Sequence, residues 1–255
     1  MTKVTLITGA SSGLGAVFAH KIAAEKQNVV LVARRVARLE ILAAELRLAH
    51  GVQAFVEGQD LSQPRSVSSL MARIAAQGLE VDGLINNAGF GLHGAFATLD
   101  GPKQSEMISL NCLALTELCH AVLPGMIASK HGQILNVAST AAFQAGPNMA
   151  VYYASKAYVL SFSEALHEEV KAHGVHVTAL CPGPTATEFF DTANAGSILL
   201  TKLMRKEEPV VDDGLRALKA NKAIVISGIM NKLTAHSARF VPRAFTRKLA
   251  QSLQR

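Results

Sequence analysis

Tyr152 and Lys156 are the first pair of residues whose types and spacing fit acid–base chemistry. They are four residues apart in a stretch with helical periodicity, so both side chains project from one face of a helix. A free phenol has a pKa of about 10, and a neighbouring ammonium group favours the phenolate. The pair therefore predicts a tyrosine that exchanges a proton near neutral pH. Tyr153 is three residues from Lys156, and we interpret it as a packing or interface residue.

Further polar residues follow the predicted strands at the points where doubly wound folds bind ligands. Residues 86–89 (Asn-Asn-Ala-Gly) end the fourth predicted strand, and Ser139 ends the fifth. Residues 182–184 (Pro-Gly-Pro) end the sixth, and Asn111 lies in the long helix after the fourth. Because the carboxyl ends of parallel strands meet at one edge of a sheet, we expect these groups in the neighbourhood of Tyr152.

A glycine-rich turn lies near the start of the chain. The first predicted strand runs into residues 8–15, Thr-Gly-Ala-Ser-Ser-Gly-Leu-Gly, and a helical stretch follows. Glycines allow the backbone to turn tightly and to approach a ligand. The helix directs free N–H groups and the positive end of its dipole at a pyrophosphate. A strand, a glycine turn and a helix in this order predict a dinucleotide site, formed by Gly9, Ser11, Ser12, Gly13, Leu14 and Gly15.

The end of the second predicted strand favours NADP over NAD. A fold that prefers NAD carries an Asp or Glu here for the ribose 2′-hydroxyl, but this position is Ala33. Arg34 and Arg35 follow, and their guanidinium groups suit the 2′-phosphate of NADP. The alternative is that both arginines only start a solvated helix. After the third strand, Asp60 and Leu61 are expected either at the adenine or at an ordinary helix N-cap.

The elements that must position these groups alternate along the chain. Apolar, β-branched runs occur at 4–8, 29–32, 54–56, 83–85, 134–137, 175–180 and 223–226, and helical stretches include 36–50, 64–76, 103–129 and 152–172. This alternation predicts repeated βαβ units with right-handed crossovers. The predicted fold class is α/β, a single Rossmann-like doubly wound domain over residues 1–255 with about seven parallel strands and helices on both faces.

Together, these motifs resemble those of the short-chain dehydrogenase/reductase family. The chain carries T-G-x-x-x-G-x-G at 8–15, N-N-A-G at 86–89, Asn111, Ser139, Y-x-x-x-K at 152–156 and P-G at 182–183, in the family's order. The resemblance covers residues 1 to about 187, and the arginine pair is similar to that of NADP-preferring members. It implies NADP(H) as cofactor and hydride transfer between nicotinamide and a carbonyl or alcohol group.

The resemblance also implies roles for individual residues. Tyr152 would be the general acid in reduction and the base in oxidation, and Lys156 would lower its pKa and bind the nicotinamide ribose. Ser139 would hydrogen-bond the substrate oxygen, and Asn111 would hold a water that links Lys156 to solvent. The cofactor would further contact Asn87, Ala88, Gly89, Pro182, Gly183, Thr185 and Thr187.

Two positions depart from the family pattern. Thr185 occurs where an apolar residue is usual, which leaves its contact with the carboxamide less defined. Ser12 occurs where some NADP users carry a basic residue. Recognition of the 2′-phosphate would therefore depend mainly on Arg34 and Arg35.

The segment at 187–211 interrupts the alternation of strands and helices and carries large apolar residues. In this fold such an insertion lies over the nicotinamide as a substrate lid, which favours an apolar carbonyl substrate. The alternative is that its apolar residues pack into the core. We expect Phe143, Gln144 and Phe189, with Ser139, to line the substrate pocket. His93 could line the same pocket, but its place on a glycine-rich loop is more typical of a surface residue than of a catalyst.

The net charge of +6 is concentrated at the end of the chain, where eight basic and no acidic residues follow from position 219. A basic helical tail is predicted at 228–255. Such a tail can lie on an anionic membrane surface, but it more commonly packs on its own domain. No motif supports nucleic-acid binding, and the sequence shows no apolar run that approaches a membrane span.

The remaining composition favours a cytoplasmic protein. Three cysteines without a C-x-x-C pair argue against disulfides and zinc, so reduced thiols and no metal are expected. Residues 1–9 lead directly into the first strand and glycine turn, so no secretory signal is expected. Family members commonly form homodimers or homotetramers through the helices at 103–129 and 152–172, and the same is expected here. Two other functions stay open, a cofactor-binding scaffold that has lost catalysis and a membrane-surface interaction protein.

Overall fold

The computed structural model describes residues 1–188 and 204–237, together with residues 241, 242, 244, 246–248 and 250. Phe189, most of the predicted lid at 187–211 and the last part of the predicted tail at 228–255 lie outside the described residues. The described residues form one twisted sheet with helices packed on both faces.

Seven parallel strands form the sheet, in the order β3-β2-β1-β4-β5-β6-β7. The predicted Rossmann-like α/β fold is therefore confirmed. Between β3 and β4 the chain returns to the other side of β1, so the carboxyl ends of β1 and β4 border a crevice where such folds bind ligands. In chain order the strands are β1 (Thr2–Thr8), β2 (Val29–Ala33), β3 (Ala54–Gly58), β4 (Leu79–Asn86), β5 (Gly132–Val137), β6 (Val175–Cys181) and β7 (Ile224–Ile226).

Strand β4 begins four residues earlier than the sequence pattern predicted. Residues 79–81 pair with residues 2–4 of β1, and the register of the pair then shifts. Glu80 and Asp82 interrupt the apolar run in this half of the strand. Because the prediction depended on continuous apolar residues, it found only the half in which the strand is buried.

Helices cover the sheet on both faces. The described helices are α1 (Gly13–Ala24), α2 (Val36–His50), α3 (Ser66–Ala76), α4 (Gly101–Ile108), α5 (Leu115–Ser129), α6 (Ala150–Val170), α7 (Glu207–Lys219) and α8 (Ile229–Ser237). On one face α1, α2 and α7 pack through residues such as Phe18 and Leu218, and on the other α3, α5 and α6 pack through residues such as Leu70 and Val159. Burial on both faces accounts for the continuous Val, Leu and Ile runs of the strands.

The helix predicted at 103–129 is one run with a π-helical turn inside it. Asp100 caps its start, because its carboxylate accepts a hydrogen bond of 2.9 Å from the Lys103 backbone N–H. The wider turn at Ser109–Ala114 joins α4 to α5. Such turns inside α-helices frequently occur at functional sites, and this one contains Asn111.

By length and composition, this run at Gly101–Ser129 is the one helix among the described residues that could cross a membrane. The sequence scan had found no such run, because Asn111, Thr116 and Glu117 interrupt its apolar residues. Leu118 and Met126 pack into the core against the sheet. The helix therefore belongs to the α/β domain, and core packing explains much of its apolar composition.

Candidate active site

The carboxyl edge of the sheet encloses a cavity of about 530 Å³, within the range of roughly 300–1,000 Å³ that is usual for ligand pockets. The glycine turn lines one part of the cavity, and Ser139, Tyr152 and Lys156 line another, whereas Asn111 does not line it. Most of the predicted site residues are brought together here: Gly9, Ser11, Ser12, Gly13, Leu14, Arg34, Arg35, Asp60, Leu61, Asn87, Ala88, Gly89, Ser139, Tyr152, Lys156, Pro182, Gly183, Thr185 and Thr187.

Phe143 and Gln144, predicted to bind substrate, do not line this cavity. Phe143 ends a single turn of 3₁₀-helix after β5 and packs against the hydrophobic core. The same turn directs Thr140 and Ala141 at the cavity instead. The structure therefore does not bring Phe143 and Gln144 into the cavity lining, and for Phe143 the reason is its packing against the core.

The glycine turn is packed so closely that side chains do not fit. A Cβ atom on Gly15 would lie 2.2 Å from the Gly9 carbonyl oxygen, and one on Gly9 would lie 2.8 Å from Asn87 Nδ2. The Asn87 amide donates hydrogen bonds to the carbonyl oxygens of Thr8 at 3.0 Å and of Gly9 at 3.3 Å. Gly15 does not itself line the cavity; it lets the start of α1 approach the turn behind it. The backbone beside the cavity thus stays bare, as a pyrophosphate site requires.

Thr8 is a site-forming residue that sequence reasoning did not single out. Its hydroxyl oxygen accepts hydrogen bonds from the backbone N–H groups of Asn87 at 3.0 Å and Ala88 at 2.9 Å. The hydroxyl also donates to the Ile85 carbonyl oxygen at 3.3 Å. Thr8 therefore locks the end of β1 to the end of β4. The signal was present, since Thr8 is the first residue of the glycine-turn motif.

Arg35 reaches back from the start of α2 to the glycine turn. Its Nε and Nη2 donate to Ser11 Oγ at 3.1 and 3.0 Å, and Nη2 also donates to Ser12 Oγ at 2.7 Å. Its Nη1 donates to the Glu188 carboxylate at 2.7 Å. A guanidinium flanked by two hydroxyls can bind an anion, and here the anion that it binds is the Glu188 carboxylate. This geometry favours a ligand-binding arginine over a residue that only starts a solvated helix.

Asp60 bonds locally and lines the cavity as well. Its carboxylate accepts hydrogen bonds from the Ser62 backbone N–H at 3.0 Å and from the Ser62 hydroxyl at 2.7 Å. Burial alone would raise the pKa of Asp60, but these bonds and the charge of Arg34 hold it below its usual value. Asp60 is not the N-cap of the next helix, because α3 begins at Ser66 and its N-cap residue is Arg65. The adenine contact stays a prediction, and Asp60 lies in the cavity lining where it could be made.

Helix α6 places Tyr152 and Lys156 one turn apart, where the helix meets the end of β5. Both residues are buried, and Lys156 Nζ lies 5.9 Å from the centroid of the Tyr152 ring. Lys156 Nζ donates to the Val137 carbonyl oxygen at 2.7 Å, and Ser139 hydrogen-bonds Tyr152. The Ser139 oxygen accepts a bond of 3.1 Å from the Ala141 N–H. These contacts form a serine–tyrosine–lysine cluster at the inner end of the cavity.

Burial dominates the electrostatics of this cluster. It raises the pKa of Tyr152 to about 12, although the hydrogen bond with Ser139 acts in the opposite direction. Burial also lowers the pKa of Lys156 to about 8. Burial, and not the charge of Lys156, is therefore the main influence on the pKa of Tyr152 in this structure, and a lowering of that pKa by Lys156 stays a prediction. At neutral pH Tyr152 therefore keeps its proton and Lys156 is mostly charged.

Asn111, in the π-helical turn, acts on the loop that follows β4. Its Nδ2 donates to the Phe90 carbonyl oxygen at 3.0 Å and to Ser155 Oγ at 3.1 Å, and its Oδ1 accepts from the Phe90 N–H at 3.1 Å. A Cβ atom on Gly89 would lie 2.9 Å from Asn111 Oδ1 and 3.6 Å from Lys156 Nζ. Asn111 therefore fixes the wall of the cavity beside Lys156, and the water relay stays a prediction.

Much of the wall near Tyr152 was not found from the sequence. Tyr153 packs against Gly146 and edge-on to Tyr152, with ring centroids 6.1 Å apart, but it also lines the cavity. His93, which the sequence offered as a possible pocket residue, lines it too. The other positions lie outside the motifs, so only the tertiary structure reveals them: Phe90, Leu110, Met149 and Tyr153.

The described part of the chain holds no group of three or more His, Cys, Asp or Glu side chains that could bind a metal ion. The three cysteines are free. Burial raises the pKa of both Cys119 and Cys181 to about 12, which makes their thiols poor nucleophiles. The reactive groups of the cavity are thus the hydroxyls and the lysine.

Comparison with known proteins identifies the family to which this protein belongs. A family model described as short chain dehydrogenase matches residues 3–197. The chain belongs to the short-chain dehydrogenase family. The very-long-chain 3-oxoacyl-CoA reductase of Phaeosphaeria nodorum is 36% identical over 176 residues, which cover 68% of this chain and 52% of that protein. The 7beta-hydroxysteroid dehydrogenase of Collinsella aerofaciens is 31% identical over 91% of this chain and 88% of that protein.

Solved structures agree with this family assignment. A short-chain dehydrogenase from Sphingobium yanoikuyae in complex with NADPH matches with a TM-score of 0.84 and 33% identity, over 94% of each chain. The alignment with the fungal reductase covers only about half of that protein. The similarity to this reductase therefore extends to the shared α/β domain only. The substrate of this short-chain dehydrogenase depends on the residues of its own cavity.

Proposed function

We propose that this short-chain dehydrogenase is an NADP(H)-dependent oxidoreductase that interconverts a carbonyl and an alcohol. The observation that carries the proposal is the placement of two sets of residues in one cavity. Ser139, Tyr152 and Lys156 form a proton-donating cluster in one part, and Arg35 with the glycine turn forms an anion-binding set in another.

The residues of the cavity fit nicotinamide adenine dinucleotide phosphate, NADP. The bare backbone at Gly9 and Gly13 suits a pyrophosphate, and the donors of Arg35 with the hydroxyls of Ser11 and Ser12 suit the 2′-phosphate. Such a cofactor, when bound, supplies hydride transfer to or from the substrate carbon. The NADPH complex of the Sphingobium relative supports the same choice of cofactor.

The protein's own residues handle the proton and the substrate oxygen. In reduction, the Tyr152 hydroxyl donates its proton to the carbonyl oxygen, and the Ser139 hydroxyl donates a hydrogen bond to that oxygen. The Lys156 ammonium stabilises the phenolate that this step leaves, and a proton from solvent restores the phenol. In oxidation, the Tyr152 phenolate accepts the proton of the alcohol. Asn111 supports the relay by holding the loop next to Lys156.

The proposed substrate is an apolar ketone or aldehyde. Phe90, Leu110, Met149 and Tyr153 line the cavity around Tyr152, and apolar walls favour a hydrocarbon body around one polar group. Two relatives are named for very-long-chain 3-oxoacyl-CoA and 7beta-hydroxysteroid substrates, and both substrates contain a large hydrocarbon part, which supports the proposal. Phe189 stays a proposed substrate contact.

A binding titration tests the cofactor before any substrate is known. Nicotinamide fluorescence is followed while NADPH or NADH is added to the full chain. We expect tighter binding of NADPH, followed by NADPH oxidation with apolar ketones and aldehydes. Equal binding of both cofactors would remove the NADP preference, and binding of neither would overturn the oxidoreductase proposal.

Assembly and location are also proposals. The outer faces of the helices at 101–170 expose Ile108, Leu113 and Tyr158, which are 51%, 55% and 43% exposed. Exposed apolar groups on neighbouring helices suit a self-complementary interface, so we propose a homodimer or homotetramer. Free thiols fit a reducing compartment, and we propose the cytoplasm. Sedimentation of Leu113→Glu against the wild type tests the interface.

A further inference from the structure

A carboxylate of the chain itself, that of Glu188, lies in the cofactor cavity. Glu188 lines the same cavity as Arg35 and the glycine turn. Its two carboxylate oxygens bind two different arginines, because Oε2 accepts from Arg35 Nη1 at 2.7 Å and Oε1 accepts from Arg38 Nη1 at 2.6 Å. One carboxylate thus bridges two guanidinium groups at the start of α2.

The backbone around Glu188 directs it to this position. After β6, Thr185 pairs with Arg205, and the Ala186 N–H donates to the Arg205 carbonyl oxygen at 3.0 Å. Thr187 then lies over the glycine turn, where a Cβ atom on Gly13 would be 3.2 Å from the Thr187 methyl group. Residues 185–188 therefore lead from the sheet across the turn to the arginines.

The donors that hold Glu188 are those expected to hold the phosphate of NADP. Arg35 also donates to the hydroxyls of Ser11 and Ser12, so these side chains and Glu188 surround the same guanidinium. A phosphate monoester carries about −1.5 to −2 charge at neutral pH and three acceptor oxygens. A carboxylate carries one negative charge and two oxygens. The phosphate can therefore displace Glu188, whereas the neutral 2′-hydroxyl of NAD cannot.

We propose that Glu188 is a specificity-determining residue that occupies the 2′-phosphate position of the cofactor site and must be displaced by that phosphate. The inference rests on the proposed NADP function and deepens it. Glu188 weakens the binding of ligands that carry a 2′-phosphate and leaves ligands without one almost unaffected. Its departure frees Arg38, a residue outside the sequence motifs, to bind the phosphate together with Arg35.

Two adenosine phosphates isolate this effect from hydride chemistry. Calorimetric titrations of the full chain use 2′,5′-ADP, which carries the 2′-phosphate, and 5′-AMP, which does not. The variants are Glu188→Gln and, as matched control, Glu168→Gln, which removes the same charge from an exposed glutamate that pairs with Lys171 on the outside of α6. Thermal melts establish that both variants are folded.

We expect Glu188→Gln to bind 2′,5′-ADP about two- to fivefold more tightly, because exposed ion pairs contribute little each and Glu188 is 47% exposed. Binding of 5′-AMP should not change, and Glu168→Gln should change neither. If the wild type prefers 2′,5′-ADP but Glu188→Gln does not bind it more tightly, this inference alone is overturned. Weaker 5′-AMP binding by Glu188→Gln would also overturn it, because Glu188 would then serve the ribose. Equal binding of both probes by the wild type would overturn the NADP proposal and this inference together.

Discussion

The catalytic part and the phosphate-binding part of the cavity are built in opposite ways. Tyr152 and Lys156 are only 9% and 6% exposed, and burial moves the pKa of each. Arg35 and Glu188 have side chains that are 43% and 47% exposed, so water screens their charges. Proton chemistry is thus placed where solvent is excluded, and cofactor selection is placed where a ligand can displace a side chain. Substitutions in the buried part should accordingly have the larger effects.

The largest expected effect is that of Tyr152→Phe. Loss of the proton donor should lower turnover by about 10²–10⁴-fold, the usual contribution of general acid catalysis. Steady-state reduction of an apolar ketone with NADPH measures it. Tyr158→Phe, on the same helix but bonded to Thr116 outside the cavity, is the control with unchanged turnover. Tyr153→Phe should keep turnover, and a result in which Tyr153 rather than Tyr152 is essential would reverse the assignment.

Gly15→Ala should have the next largest effect, on stability. Its Cβ would lie 2.2 Å from a backbone oxygen, which cannot rotate away. We expect the free energy of unfolding to fall by about 1–3 kcal/mol, as for other overpacked sites, and NADPH binding to weaken with it. Thermal and denaturant melts give the value. Gly125→Ala is the control, because nothing lies within 4 Å of its Cβ position and alanine favours the helix; equal losses in both variants would contradict the close packing of the turn.

Arg35→Gln tests the phosphate-binding part of the cavity, and its expected effect on cofactor affinity is smaller. NADPH affinity should fall about tenfold, because one charge-assisted pair with the phosphate is lost in a partly solvated position. NADH affinity should change less than about twofold. Arg216→Gln, which removes an exposed pair with Asp213 at the edge of α7, controls for net charge. If the affinities for NADPH and NADH fell by the same factor, Arg35 would support the glycine turn and would not select the phosphate.

The smallest effect concerns pH. Lys156 is protonated below its pKa of about 8 and loses its charge above it, whereas Tyr152 keeps its proton up to about pH 12. We expect kcat/KM for NADPH, which reports on the free enzyme, to be halved near pH 8 and to decline further above it. An ultraviolet difference spectrum between wild type and Tyr152→Phe should show no tyrosinate at that pH. The appearance of tyrosinate together with the decline would assign the transition to Tyr152.

The sequence and the structure disagree most where a residue's surroundings come from distant parts of the chain. Phe143 follows a predicted strand, as Ser139 does, yet it ends a 3₁₀ turn and packs against the hydrophobic core. The raised pKa of Tyr152 follows from burial, which the spacing to Lys156 does not reveal. Glu188 is 153 positions from Arg35 and 150 from Arg38, so no local pattern predicts their ion pairs.

The sequence by itself determined the α/β fold, the glycine turn, the order of the motifs and the residues at the strand ends. These features depend on local periodicity and on backbone space, which neighbouring residues encode directly. The tertiary structure alone decided which side chains share the cavity and which of them are buried. It also decided that the Glu188 carboxylate binds Arg35 and Arg38. Burial and charge pairing depend on contacts between segments far apart in the chain, and these exist only after folding.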